Sequence, residues 1–253
     1  MKIVVTPALI ASATLVGRRW GHAMSGWLVG LPLTSGPVVF FLALDHGTHF
    51  AADAALGVIL GVASQAVFAL AYLRIGSRGG LGTRLLAGTL AFAIATAIFR
   101  LLTLPLAVES IVVSASLVGA ILLTPQAPAT EARFDATPPA DLPIRIVVAT
   151  SLVVGLTSIA PLLGAYLSGL ISPFPLYAAI LAVFAHRLGG PGGAAAVWRG
   201  LLFGLFSFVA FFTVIAAWLP RLGSLTGFAL ALMVAVLTQG ASLLVLRSIR
   251  SAN

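Results

Sequence analysis

The sequence predicts an all-α polytopic membrane protein of about nine transmembrane helices, arranged as two inverted-topology repeats with broken helices. Three observations lead to this prediction. First, 60% of the 253 residues are hydrophobic and only 8% are charged, whereas about a quarter of an ordinary soluble domain is charged. Second, long apolar runs recur along the whole chain, giving a mean hydropathy of +1.13. Third, the two halves share spaced motifs. The composition excludes a soluble enzyme, a nucleic-acid-binding domain and a disordered protein.

Nine apolar runs approach the length of roughly 20 residues that a spanning helix needs. The first run is short and follows Lys2, like a signal peptide, but Arg18 and Arg19 stand where a small-residue cleavage site would be expected. We therefore count it as a helix. A polar, Pro-rich stretch at 125–143 divides the chain into a first membrane repeat, 1–124, with five spans and a second, 144–253, with four. The predicted spans are 3–17, 23–45, 52–73, 82–103, 106–124, 144–164, 167–186, 196–219 and 223–246.

The basic residues indicate the orientation of the chain. If it crosses the membrane nine times, eleven of the 14 Lys and Arg residues lie on one face and only Lys2, Arg100 and Arg221 on the other. Because basic residues accumulate on the cytoplasmic side, the C-terminus is predicted inside and the N-terminus outside.

Two motifs recur in the second half at nearly constant offsets. The stretch Trp27–Leu31 resembles Tyr166–Leu170 at an offset of 139, and Pro37 matches Pro175 at 138. A second set, spaced 4, 3 and 4 residues apart, recurs at an offset of 143: Gly57, Gly61, Ser64 and Phe68 match Gly200, Gly204, Ser207 and Phe211. The predicted topology gives the two copies opposite directions, so they form an inverted repeat. Their GxxxG pairs are typical of closely packed membrane helices.

Each copy of the first motif is followed by a helix break. A proline removes a backbone donor and clashes with the preceding turn, so two prolines with glycine or hydroxyl residues should interrupt a helix. The freed backbone groups must be buried in protein or line a polar cavity. Paired interruptions of this kind point to a transporter's binding site. The predicted substrate-binding residues are Pro32, Thr34, Ser35, Gly36 and Pro37 in the first break, and Ser172, Pro173 and Pro175 in the second.

Few other polar residues fall within the spans. Arg100 and Glu109 flank a short turn and are predicted to pair, either as an interfacial staple or as a gate for the solute. Asp45 and His46 close the first broken span and could join a gate or relay, although a solvated turn is the simpler interpretation. No catalytic signature and no metal-ligand pattern is present, so the sequence predicts neither an enzyme nor a cofactor or metal site.

The stretch Tyr166–Ile180, with Ala185-His186 and Trp198–Ser207, resembles the GlpM family of small bacterial inner-membrane proteins. The resemblance covers about residues 145–247, and the first half resembles the family more weakly. It implies a fused, inverted pair of such units in a bacterial inner membrane. It also implies a connection with exopolysaccharide production, and it transfers no catalytic residue.

The leading hypothesis is a secondary transporter or exporter of a small polar or anionic solute. Two alternatives remain open: a translocation factor for lipid or lipid-linked sugar in envelope polysaccharide synthesis, and a non-transporting structural subunit of an envelope complex. The expected partners are the lipid bilayer and the solute or lipid, without nucleic acid, and the sequence also allows a homodimer.

The odd number of spans makes a direct prediction. A reporter fused after Asn253 should report the cytoplasm, and a tag at Met1 should be accessible from outside, because eleven of 14 basic residues then lie inside. Compartment-specific reporter activity and tag proteolysis measure the two ends. Finding both ends in one compartment would contradict the span count and the inverted repeat.

Overall fold

The structure, a computed structural model, describes residues 27–33, 35–75, 80–124 and 162–251, with isolated positions between 147 and 160. In this part of the chain every regular element is an α-helix, as predicted. The predicted first span, the linker 125–143 and most of the span 144–164 lie outside the described residues, as does Thr34.

Six helices follow one another in the described part. A helical turn at 27–29 precedes α1, and α6 is interrupted by non-helical backbone at Gly189, Gly190 and Gly223. We therefore treat α6 as three segments, 176–188, 191–222 and 224–251. The helices are α1 (Ser35–His46), α2 (Thr48–Arg74), α3 (Leu81–Phe99), α4 (Leu106–Leu123), α5 (Ala165–Ile171) and α6 (Leu176–Ser251).

Several of these helices are long and apolar enough to cross a membrane. Among the described residues five stretches qualify, the last of which, Gly189–Val245, is 57 residues long and bent at Gly223. The outer face of α3 carries a stripe of Leu86, Leu90, Ile94 and Ile98, each 53–60% exposed. A stripe of this kind is unusual on a soluble monomer and suits contact with lipid. The chain is accordingly a multi-pass membrane protein.

Helix α2 lies at the centre of the bundle. Its most apolar stretch is 78% buried, compared with 22% for α3 and 28% for α4. It packs against α1, α3, α4, α5 and α6. The positions of the other described helices are therefore set largely by the surface of α2.

Glycines bring backbones together at two crossings. On α2, a Cβ at Gly57 would overlap the Tyr166 carbonyl of α5, and one at Gly61 would lie 2.6 Å from the Leu170 carbonyl oxygen. In the segment 191–222, a Cβ at Gly204 would overlap the Trp27 carbonyl. Small residues permit such approach, and membrane helices associate through it because lipid is as apolar as their side chains. Close packing is thus confirmed for these three glycines.

The connection between α1 and α2 differs from the expected loop. Helix α1 continues to His46 and α2 begins at Thr48, so Gly47 alone separates them. Gly47 has φ 89° and ψ 167°, and Gly190 of α6 has φ 63° and ψ −160°. This backbone region is accessible essentially to glycine only. Asp45 and His46 consequently belong to the last turn of a helix, where a solvated turn was expected.

The crossings predict which glycines are essential. Gly57→Ala and Gly204→Ala should lower the melting temperature in detergent, because each added methyl meets backbone that cannot rotate away. The expected cost is on the order of 1–3 kcal/mol or more. Gly119→Ala in α4 is the matched control, since nothing lies within 4 Å of its Cβ position. Equal melting temperatures for all three variants would refute the close approach.

Candidate functional site

Both predicted helix breaks are present. In the first, Gly30 and Leu31 donate backbone hydrogen bonds to Trp27 and Leu28, each 3.1 Å long, and the helical turn then stops. In the second, α5 ends at Ile171, and the Phe174 amide donates to the Ile171 carbonyl at 3.0 Å. Helix α6 begins at Leu176, directly after Pro175. Because proline has no N–H to continue the pattern, each break falls where its prolines are.

The two breaks meet inside the protein. The Ser35 hydroxyl, at the first residue of α1, donates a hydrogen bond of 3.0 Å to the Ser172 carbonyl, just beyond the end of α5. Both serines are fully buried. A carbonyl at a broken helix end is thereby satisfied by a side chain from the other break, as a water-poor environment requires.

One polar atom at this contact has no partner. The Ser172 hydroxyl oxygen is buried and makes no hydrogen bond. Buried polar atoms are nearly always paired, so an unpaired one calls for an explanation such as water or a bound ligand. The contact can supply hydroxyl and backbone groups to a small polar molecule. Among the described residues that form it, there is no pair of titratable groups.

The remaining predicted residues surround the same contact. Pro173 packs against α2, where a Cβ on Gly61 would lie 2.8 Å from its ring. Gly36 donates its amide to the Pro32 carbonyl at 2.9 Å, and the Pro175 carbonyl accepts from Ala179 at 2.8 Å. The seven described members of the predicted site are all buried: Pro32, Ser35, Gly36, Pro37, Ser172, Pro173 and Pro175. Their role in binding a solute stays a prediction.

A second polar layer lies one turn further along α2. The Thr96 hydroxyl of α3 donates to the Ser64 hydroxyl at 3.0 Å. The neighbouring Gln65 is 6% exposed, and its side-chain oxygen has no hydrogen-bond partner. The hydrogen bond between Thr96 and Ser64 joins α2 to α3. The partner Thr96 could not be predicted from the sequence, since a single hydroxyl in an apolar run is common.

A polar network also holds the first broken segment in place. The Trp27 indole donates to the Ser242 hydroxyl at 2.9 Å, and the Gln239 amide donates to the Trp27 carbonyl at 2.8 Å. Both partners belong to the last segment of α6. Ser242 and Gln239 could not be predicted from the sequence, because they lie in a long apolar run without a motif.

The predicted pair of Arg100 and Glu109 is not formed. Glu109 is only 2% exposed, and its carboxylate lies against the backbone of Leu60 in α2, with Oε1 unpartnered. Arg100, directly beyond the end of α3, is exposed. Glu109 shares the buried face of α4 with Val113 and Leu117, at intervals of four residues. The rotation of α4 therefore turns the carboxylate towards α2.

Asp45 and His46 are exposed at the end of α1, and the His46 ring lies 4.8 Å from the Phe50 ring. Within the described ranges no group of three or more His, Asp or Glu side chains is arranged to hold a metal ion. The two residues lie apart from the buried contact between the breaks.

Comparisons with known proteins give no match: no family model fits the chain, and neither a curated protein nor a solved structure is significantly similar to it. The resemblance to the GlpM family stays a prediction that rests on the residues quoted above.

The separation of Arg100 from Glu109 is testable by a double-mutant cycle. Arg100→Gln, Glu109→Gln and the double variant should show additive changes in unfolding free energy, within about 0.5 kcal/mol, because independent sites add. Thermal unfolding of the purified variants measures the three changes. A coupling free energy above about 1 kcal/mol between the two substitutions would contradict their separation and support the ion pair that the sequence predicts.

Proposed function

We propose that this chain is a secondary transporter or exporter of a small polar or anionic solute in a bacterial inner membrane. The solute site lies where the two helix breaks meet. The observation that carries the proposal is the Ser35–Ser172 hydrogen bond between the breaks, beside a buried Ser172 hydroxyl that has no partner. Paired broken helices that meet within the bundle are the architecture from which many transporters build their sites.

The helix ends at this contact favour a polar or anionic solute. Helix α1 begins at Ser35 and α6 at Leu176, so the amino-terminal ends of both lie beside the contact. The first amides of a helix lack internal partners, and the helix dipole adds partial positive charge there. A negatively charged or hydrogen-bond-accepting group is therefore favoured between them.

The proposal includes an inverted duplication. Its support extends beyond the sequence motifs to backbone conformation, since Gly47 and Gly190, which both have positive φ, are 143 residues apart. Gly80 and Gly223 have the same offset, and each directly precedes a helical segment. With α4 set aside as a connecting helix, the order of breaks and helices is the same in both halves.

The crossings are consistent with the same duplication. Segment 27–30 of the first half packs on Gly204 of the second, while α5 of the second half packs on Gly57 of the first. Trp27 and Tyr166, which supply the contacting carbonyls, are matched positions of the repeat. Each broken segment thus packs on the long helix of the other half, although the contacted glycines differ by one turn, since Gly57 matches Gly200 and Gly204 matches Gly61.

Cysteine accessibility tests whether the contact opens to solvent. The chain has no cysteine, so Ser35→Cys and Ser172→Cys can be made singly without altering the background. A transporter that alternates between two open states should allow a small, charged thiosulfonate reagent to reach both positions. Reaction should occur in right-side-out and in inverted membrane vesicles, and mass spectrometry of the purified protein measures it.

Ser207→Cys provides a matched control. Ser207 is equally buried, but its hydroxyl donates to the Gly204 carbonyl of its own helix at 3.0 Å. It should stay unreactive in both vesicle types. If Ser35→Cys and Ser172→Cys are also unreactive from either side, the contact is a static core and the structural-subunit alternative replaces transport.

A further inference from the structure

Glu109 is a buried carboxylic acid to which the serine contact gives no role. The structure describes three acidic residues, of which Asp45 and Asp53 are exposed whereas Glu109 is 2% exposed. Glu109 lies in the first turn of α4, where its amide donates to the Pro105 carbonyl at 2.9 Å. An ionisable side chain buried in a membrane protein is a candidate for a functional role such as proton transfer.

The carboxyl group lies at the level of the second helix break. It lies against the backbone of Leu60 in α2. The next residue, Gly61, carries the second break, since a Cβ there would lie 2.6 Å from the Leu170 carbonyl oxygen and 2.8 Å from the Pro173 ring. Glu109 and the second break therefore contact consecutive residues of the same helix.

Glu109 is also near α5, the short helix that leads into this break. The Tyr166 hydroxyl is close enough for a charge on Glu109 to act on it, and it donates to the Leu102 carbonyl at 3.3 Å. Ser172 follows Tyr166 by six residues, directly beyond the end of α5. A change of charge on Glu109 thus acts on both helices that hold the Ser172 carbonyl in place.

The described surroundings of Glu109 contain few titratable groups. Helices α2 and α6 both pack against α4, and a hydrogen bond of 2.9 Å between Ser110 and Thr213 identifies the segment of α6 beside Glu109. Neither 56–64 of α2 nor 206–217 of α6 contains a titratable side chain. In the described ranges, the titratable groups at this end of α3 and α5 are the Tyr166 hydroxyl and Arg100, whose side chain is exposed.

The burial of Glu109 favours its neutral form. Its Oε1 atom is buried and has no hydrogen-bond partner. A carboxylate held away from water with an unpaired oxygen is far more costly than a neutral carboxylic acid, so such a group takes up a proton. The ionised form is instead stabilised in an arrangement in which the carboxylate reaches water.

We propose that Glu109 binds the coupling ion of the transporter, and that this ion is a proton. Glu109 holds the proton while the serine contact is closed and releases it to water when α5 and the second break move apart from α2. The step transfers a proton between water and a carboxylate oxygen, and no other bond changes. This inference rests on the proposed function, because coupling requires a contact that opens.

Infrared difference spectroscopy of the purified full chain in lipid tests proton binding without a transport assay. At neutral pH, a carbonyl absorption of a protonated carboxyl group should be present and should disappear in alkaline buffer. Glu109→Gln should remove this absorption, whereas Glu109→Asp should shift it and keep its loss at high pH. Asp53→Asn is the matched control, since Asp53 is exposed and its removal should leave the absorption unchanged.

The pH dependence of cysteine labelling tests the coupling. Release of one proton on opening changes the ratio of open to closed molecules by up to about tenfold per pH unit. The labelling rate of Ser172→Cys, divided by that of Ser172→Cys with Glu109→Gln, should therefore rise at least about 10-fold between about pH 5 and about pH 8. The division removes the titration of the thiol, which is common to both proteins. Glu109→Asp should keep the rise, and Asp53→Asn should not alter it.

Two results would overturn the inference. One is that no carbonyl absorption depends on Glu109, which would show that it binds no proton even if Ser172→Cys is labelled from both sides. The other is a labelling ratio that does not change with pH, which would separate the proton from the contact. If Ser172→Cys is unreactive at every pH, the proposed function and the coupling both fail, and the infrared absorption alone decides whether Glu109 binds a proton.

Discussion

The close approach of backbones at the glycines of α2 is the constraint on which the rest of the described structure depends. Lipid gives apolar helices little reason to prefer each other, so contact area and backbone proximity must hold the bundle together. Gly57 and Gly61 let α5 lie directly on α2, and Pro173 then rests against Gly61. This contact fixes the depth at which α5 breaks, and hence where the Ser172 carbonyl meets the Ser35 hydroxyl. A side chain at either glycine would displace the break as well as the helix.

The contact between the breaks solves one energetic problem and leaves another. Unsatisfied backbone groups in a membrane interior cost several kcal/mol each, and Ser35 removes one such cost by binding the Ser172 carbonyl. The Ser172 hydroxyl and the Gln65 side-chain oxygen nevertheless remain buried without partners. An alanine and a leucine at these positions would avoid the cost of desolvation. The presence of Ser172 and Gln65 is understandable if a polar molecule occupies the contact for part of a working cycle. This is the physical basis of the proposed function.

In the described part of the chain, hydropathy predicts the α-helical class and proline spacing predicts the two breaks, because both depend on local sequence. The breaks near Pro32–Pro37 and Pro173–Pro175 follow from missing backbone donors, and the packing of Gly57 and Gly61 follows from their spacing. The rotation of each helix about its axis is set by its neighbours and is much harder to predict. Glu109 was expected to face Arg100 but shares the buried face of α4 with Val113. Arg84 was counted as a cytoplasmic charge, and α3 turns it inward towards Tyr72. The bend at Gly47 had no local signal beyond the glycine itself.

These observations give α2 a graded polarity along its buried length. Glu109 lies against Leu60, the serine contact lies beside Gly61, and Ser64 and Gln65 follow within the next turn. Tyr72 and the buried Arg84 lie about two turns beyond. An acidic side chain and the serine contact thus lie at nearly one level of α2, and a guanidinium lies roughly 18 Å along the helix from them. Apolar packing alone would not require this arrangement, since each polar group adds a desolvation cost. Because α2 contacts every other described helix, a shift of α2 would alter the serine contact and the surroundings of Arg84 together.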